Sequence, residues 1–136
     1  MVSKEVEKLL LKVQKPGRYV GGEINEVIKD KKKVDCRFAF CFPDTYEVGM
    51  SHLGMKILYS LMNAVPYIWC ERVFAPWVDM EEEMIKHNIP LYALESGDPV
   101  SDFDFIGFTL QYELSFTNML NMLRLSGVPI KSCDRK

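Results

Sequence analysis

One stretch constrains this chain more than any other. An apolar run over residues 34–43 ends in Asp44-Thr45-Tyr46-Glu47-Val48-Gly49-Met50-Ser51-His52-Leu53-Gly54, and a helix-spaced pattern follows at once. A strand that stops at an Asp, crosses a Gly-containing loop and opens a helix is the repeating junction of open α/β sheets. Such sheets bind ligands outside the carboxyl ends of their strands. The helix that follows begins with N–H groups that lack intrahelical partners. A small-molecule site is therefore expected at Asp44, Tyr46, Gly49, Ser51, His52 and Gly54. The same residues have structural uses: Asp44 as a turn former, Tyr46 as a lid or packing residue, the glycines as close-packing points, and His52 as a helix cap.

The rest of the chain alternates between the two periodicities. Residues 3–13 read as an amphipathic helix with Val6, Leu9, Leu10 and Val13 on one side and Ser3 as N-cap. A Gly/Pro loop over 15–23 leads to a possible strand at 24–28 and a solvated lysine turn at 29–33. Along 34–42, Phe38, Phe40 and Phe42 share one face, and Arg37, Ala39 and Cys41 share the other. The spacing predicts a helix over 51–65 with Gly54, Ile57, Leu58, Leu61, Met62 and Val65 as its buried stripe. Further strands are expected at 67–73 and 103–110, with a short strand-like run at 90–94. Helices are expected at 77–87, with Met80 and Met84 inward, and at 113–125, with Phe116, Met119, Leu120 and Leu123 inward. Gly127 and Pro129 end the last one.

Strands alternating with helices imply crossover units. The expected fold is α/β: a three-layer, mostly parallel sheet of flavodoxin-like type. It divides into residues 1–33 (helix, loop and possible strand) and 34–136 (the α/β domain proper). That domain stops after its third crossover helix, so one sheet edge is expected to stay open and to favour a homodimer.

Composition narrows the functions. A formal charge of −2 gives no electrostatic case for nucleic acid or a membrane surface. No stretch approaches the ~20 apolar residues of a membrane span, and Met1-Val2-Ser3-Lys4-Glu5 lacks a leader pattern. A cytoplasmic protein is expected. Cys36, Cys41, Cys70 and Cys133 form no C-x-x-C pair and read as buried, reduced thiols. A receiver reading fails because Thr109 stands where a phosphoacceptor Asp would be. A flavin-phosphate loop is disfavoured by the two carboxylates in 44–49. Trp69, Phe74 and Trp77 around Pro76 read either as core or as an exposed docking patch.

Three segments carry a more specific message: Lys15-Pro16-Gly17-Arg18-Tyr19-Val20-Gly21-Gly22-Glu23-Ile24-Asn25, then residues 42–54, then Phe105-Ile106-Gly107-Phe108-Thr109-Leu110. They resemble the N-terminal cobalamin-binding-like domain of a family of radical S-adenosylmethionine proteins often labelled Fe–S oxidoreductases. The resemblance implies a cobalamin-facing site at Asp44, Tyr46, Gly49, Ser51, His52, Gly54 and Thr109. It also implies a radical catalytic domain as partner in a longer chain. The [4Fe–4S] cluster and S-adenosylmethionine belong to that domain, since no C-x-x-x-C-x-x-C occurs here. The cobalamin pattern D-x-H-x-x-G aligns with Asp44, Tyr46 and Gly49, which puts a phenol where the cobalt-ligating imidazole stands. Three readings follow: cobalamin without a protein lower ligand, cobalamin held by His52, or a relic site that no longer holds it. The module is expected to have no catalytic activity alone. The alternative is an interaction or dimerisation domain.

Overall fold

The computed structural model describes residues 3–135; the leader reading at Met1 and Val2, and Lys136, lie outside them. Helix α1 (Lys4–Leu10) opens the chain with Ser3 as its cap, the hydroxyl accepting from the Val6 N–H at 3.2 Å. Strand β1 (Cys36–Phe42) is followed by α2 (Tyr46–Ser51), α3 (Leu53–Ala64) and β2 (Ile68–Phe74). Then come α4 (Val78–His87), β3 (Phe105–Phe108) and α5 (Ser115–Leu125). The three strands form one parallel sheet in the order β2-β1-β3, with Phe38 opposite both Cys70 and Phe105.

The alternation along β1 sorts the core into two layers. Ala39 and Cys41 face one side with Val73, Met80, Met84, Met122 and Leu125, joined by Val6 and Leu9 of α1. Phe40 and Phe42 face the other side with Met55, Tyr59, Cys70 and Phe74. The β1-to-β2 crossover therefore lies on the phenylalanine face. The β2-to-β3 crossover lies on the small-residue face, as right-handed crossovers in opposite directions require. The fold is the three-layer α/β sheet expected from the sequence.

Several local expectations are corrected. The helix over 51–65 is two helices: His52 adopts an extended conformation (φ −78°, ψ 112°), closing α2 and capping α3. The buried side of α3 is Met55, Tyr59 and Asn63, while Ile57, Leu58 and Leu61 are exposed. Tyr59 and Asn63 turn inward to polar backbone groups, Tyr59 to the Val27 N–H and Asn63 to Cys70 of β2. The Asn63 amide bonds both Cys70 C=O (2.9 Å) and Cys70 N–H (3.0 Å). Likewise, α5 buries Met122, Leu123 and Leu125 and leaves Phe116 and Leu120 exposed.

Residues 24–28 form no strand. The Val27 N–H donates to the Tyr59 hydroxyl and its C=O accepts from Trp69 Nε1, both at 2.8 Å, so side chains take the groups a strand partner would use. The run 90–94 contributes only a bridge between Tyr92 and Pro99. Within the lysine turn, Lys29 is not merely solvated: its Nζ donates to the carbonyls of Asn63, Val65 and Ile68, closing the end of α3. Of the four thiols, Cys41 and Cys70 are buried, Cys36 is half-buried and Cys133 is exposed. Trp69 and Phe74 are core; Trp77 is half exposed. No helix among the described residues is long and apolar enough to cross a membrane.

Candidate functional site

With β1 in the middle and its crossovers leaving in opposite directions, the topological switch point lies between the carboxyl ends of β1 and β3. Sheets of this order place their ligand crevice there. The loops after these strands carry Asp44 and Thr109. They are held together by Tyr112, whose hydroxyl donates to Asp44 Oδ2 at 3.3 Å, and by the Asn118 amide, which donates to Pro43 C=O at 2.9 Å. The other Asp44 oxygen accepts from the Thr45 N–H at 2.7 Å, turning the chain into α2. Thr109 fixes its loop through a backbone bond to Cys41 C=O and accepts from the Gln111 amide. Asp44 and Thr109 thus lie at the same end of the sheet, on loops linked through Tyr112.

The remaining candidates point elsewhere. The Tyr46 hydroxyl donates to Glu23 Oε1 at 2.5 Å and its ring packs edge-on against Phe74. Burial, followed by Glu23, pushes this phenol up to about 12. The His52 Nδ1 accepts from the Met55 N–H at 3.2 Å, and the ring leans on Phe42 with centroids 5.3 Å apart. In the neutral imidazole, an accepting Nδ1 leaves the proton on Nε2. Ser51 donates to Val48 C=O. Gly49 is buried where an added Cβ would enter the Phe74 ring, and a Cβ at Gly54 would press on His52. These residues build a close-packed turn.

The Gly/Pro loop explains why. Lys15 and Arg18 both bind Glu47, Arg18 at 2.9 Å, and Arg18 also lies over the Trp77 ring at 5.6 Å. Burial works against the Arg18 charge, but Glu47 outweighs it and raises the guanidinium above its ordinary value. Glu47 in turn sits below the usual carboxylate range: its slight burial pulls the other way, and Arg18 outweighs it. The loop therefore clamps α2 through Arg18–Glu47 and Glu23–Tyr46. Arg18 and Glu23, both in the first segment that carries the family resemblance, take this role by reaching across the β1 loop.

Neither Tyr46 nor His52 presents an open axial ligand for a corrin, and the residues present do not fit cobalamin held by a protein lower ligand. Beside Asp44, between the loops after β1 and β2 and helices α4 and α5, lies a crevice of about 200 Å³ bordered by Thr45, Trp77, Glu81, Asn118 and Asn121, below the ~300 Å³ at which small-molecule pockets begin. No cluster of three or more metal-ligating side chains occurs among the described residues. What the end of the sheet does offer is an exposed apolar collar. Val48 on α2, then Leu110, Tyr112, Leu114 (73% exposed) and Phe116 after β3 all face solvent.

Comparison with known proteins gives one finding. The family described as "Radical SAM proteins, N-terminal" matches residues 54–136, well over half of the chain. The match includes β3 and its loop and begins at the last residue of the β1 junction. No curated protein and no solved structure matches.

Proposed function

This chain belongs to the N-terminal family of radical SAM proteins, and from that premise we propose that it is a non-catalytic module. Its switch-point end is a relic of a cobalamin-type site and now serves as the docking face for the radical catalytic domain of a longer protein. The observation that carries this reading is the exposure of the apolar side chains Val48, Leu110, Tyr112, Leu114 and Phe116 on the segments that follow β1 and β3. Exposed apolar side chains gathered at one end of a domain mark an interaction surface. The internally committed Tyr46 and His52 support loss of the axial ligand.

The test is direct. The chain is mixed with hydroxocobalamin, desalted, and its visible spectrum recorded. No retained corrin band is expected. A retained band whose position changes in His52→Ala would overturn the relic reading and restore cobalamin held by His52. For docking, Leu114→Asp with Phe116→Asp is expected to leave the melting curve of this chain intact and to abolish its association with the catalytic domain supplied separately.

A second reading rests on a different observation. β3 lies at the sheet edge with Phe105 61% exposed, beside a groove of about 600 Å³ floored by Phe103, Ile106, Phe108, Met119 and Leu123. An unpaired strand edge above an apolar floor favours strand addition. The homodimer proposed here forms through that edge, and light scattering showing only the monomer mass at high concentration would remove it.

A further inference from the structure

Beside the carboxyl half of β2, away from the switch point, lies a cavity of about 30 Å³ bordered by Arg18, Tyr19, Tyr46, Arg72, Phe74 and Tyr92. Roughly 10–15 Å³ suffices for one water, so this space is large enough for one or two. Arg72 is buried, with its side chain only 3% exposed. Its Nε donates to Glu95 Oε1 at 2.6 Å, its Nη1 meets the Met50 sulfur at 3.4 Å, and the Tyr59 ring covers the guanidinium at 4.4 Å. Its Nη2 is buried with no hydrogen-bond partner in the protein. A buried donor left without an acceptor is costly, more so on a charged group.

The phenols around it complete a hydration set. The Tyr19 oxygen accepts from the Trp77 N–H at 3.1 Å, which leaves its O–H to donate. The Tyr46 and Tyr92 hydroxyls donate to Glu23 and to Tyr19 C=O, which leaves each oxygen a lone pair. We propose that this cavity is a structural water site, in which a water accepts from Arg72 Nη2 and the Tyr19 hydroxyl and donates to the Tyr46 or Tyr92 oxygen. A buried water is held by two to four such partners.

Charge selects water over an anion. Arg72 is already matched by Glu95 and Arg18 by Glu47, and Tyr46 brings in Glu23. Each guanidinium bordering the cavity therefore already has its carboxylate, and no unmatched positive charge is left there for an anion. The water joins the Gly/Pro loop and β2 to α2 or to the loop after α4.

The test is a high-resolution crystal structure of this chain grown in bromide, with oxygen-17 relaxation dispersion in solution. The expected result is a water peak within hydrogen-bond distance of Arg72 Nη2, no anomalous bromide signal there, and loss of one long-lived water in Arg72→Met. A dry cavity or a bromide peak would overturn the proposal. If Arg72→Met does not fold, Tyr19→Phe and Tyr92→Phe each remove one hydroxyl. A shortened residence time in either supports the site, and unchanged dispersion in both refutes it.

Discussion

The two edges of the sheet are finished in different ways. Along the outer side of β2 every polar backbone group from Ile68 to Arg72 that faces outward finds a partner drawn from elsewhere in the chain. Lys29 takes the Ile68 carbonyl and Asn63 takes both Cys70 groups. Glu95 takes the Arg72 N–H at 2.7 Å, and the Leu94 N–H donates to the Arg72 carbonyl. Along the outer side of β3 no strand or side chain plays that part among the described residues. One edge is sealed by specific polar residues, with Arg72 and Glu95 buried among them; the other ends at β3 without a further strand among the described residues. The homodimer proposed above would form on that open side.

The largest test of the difference removes the seal. Glu95→Ala strips the buried Arg72 of its carboxylate and is expected to cost about 3–5 kcal/mol, the penalty for orphaning one half of a buried pair. Denaturant unfolding measures it. The double change Arg72→Met with Glu95→Leu is expected to recover most of that loss, because no lone charge remains. Equal destabilisation by both would contradict the account.

Asn63→Ala is next. It leaves the Cys70 N–H and C=O unpaired in the core and is expected to cost about 1–3 kcal/mol, with faster amide exchange at Cys70 than at β1 residues. His52→Ala removes the cap of α3 and is expected to cost about 0.5–2 kcal/mol, visible as a lowered melting temperature.

Acid acts on the sealed side as well. Asp98 is partly buried, which favours its neutral form, but Lys31 and Arg37 outweigh this and hold it below the ordinary carboxylate range. A depressed carboxylate stabilises the fold above its unfolded value of about 3.9, and the gain disappears as pH falls through the lower folded value. Stability is thus expected to fall as pH drops below about 4, with a shallower slope in Asp98→Asn. The smallest effect is at the open edge: Phe105→Lys is expected to change monomer stability by no more than about 0.5 kcal/mol while abolishing any dimer seen by light scattering.

The alternation at Phe38, Phe40 and Phe42 and the paired Met80 and Met84 were legible in the sequence, because period 2 and period 3.6 are written directly by burial on a sheet face and a helix face. The orientation of α3 was not. A count of aliphatic residues chooses Ile57, Leu58 and Leu61, whereas the fold buries Tyr59 and Asn63 for the hydrogen bonds they supply. Glu71 and Arg72 in mid-strand were equally opaque. Their burial depends on Arg37 at 2.5 Å and on Glu95, partners distant in sequence. At the candidate site, the Asp44 strand end and the Thr109 loop lie at the carboxyl ends of neighbouring parallel strands. The inward turn of Tyr46 follows from Glu23, which no local pattern around residue 46 discloses.

In the function proposed above, the collar at the carboxyl end of the sheet, rather than an internal cofactor pocket, is the surface through which the module docks. Hydrogen exchange of this chain alone, compared with the same residues inside a longer radical SAM protein, tests it most directly. The account predicts added protection over residues 46–51 and 109–116 in the longer protein. Unchanged exchange in both segments would contradict it.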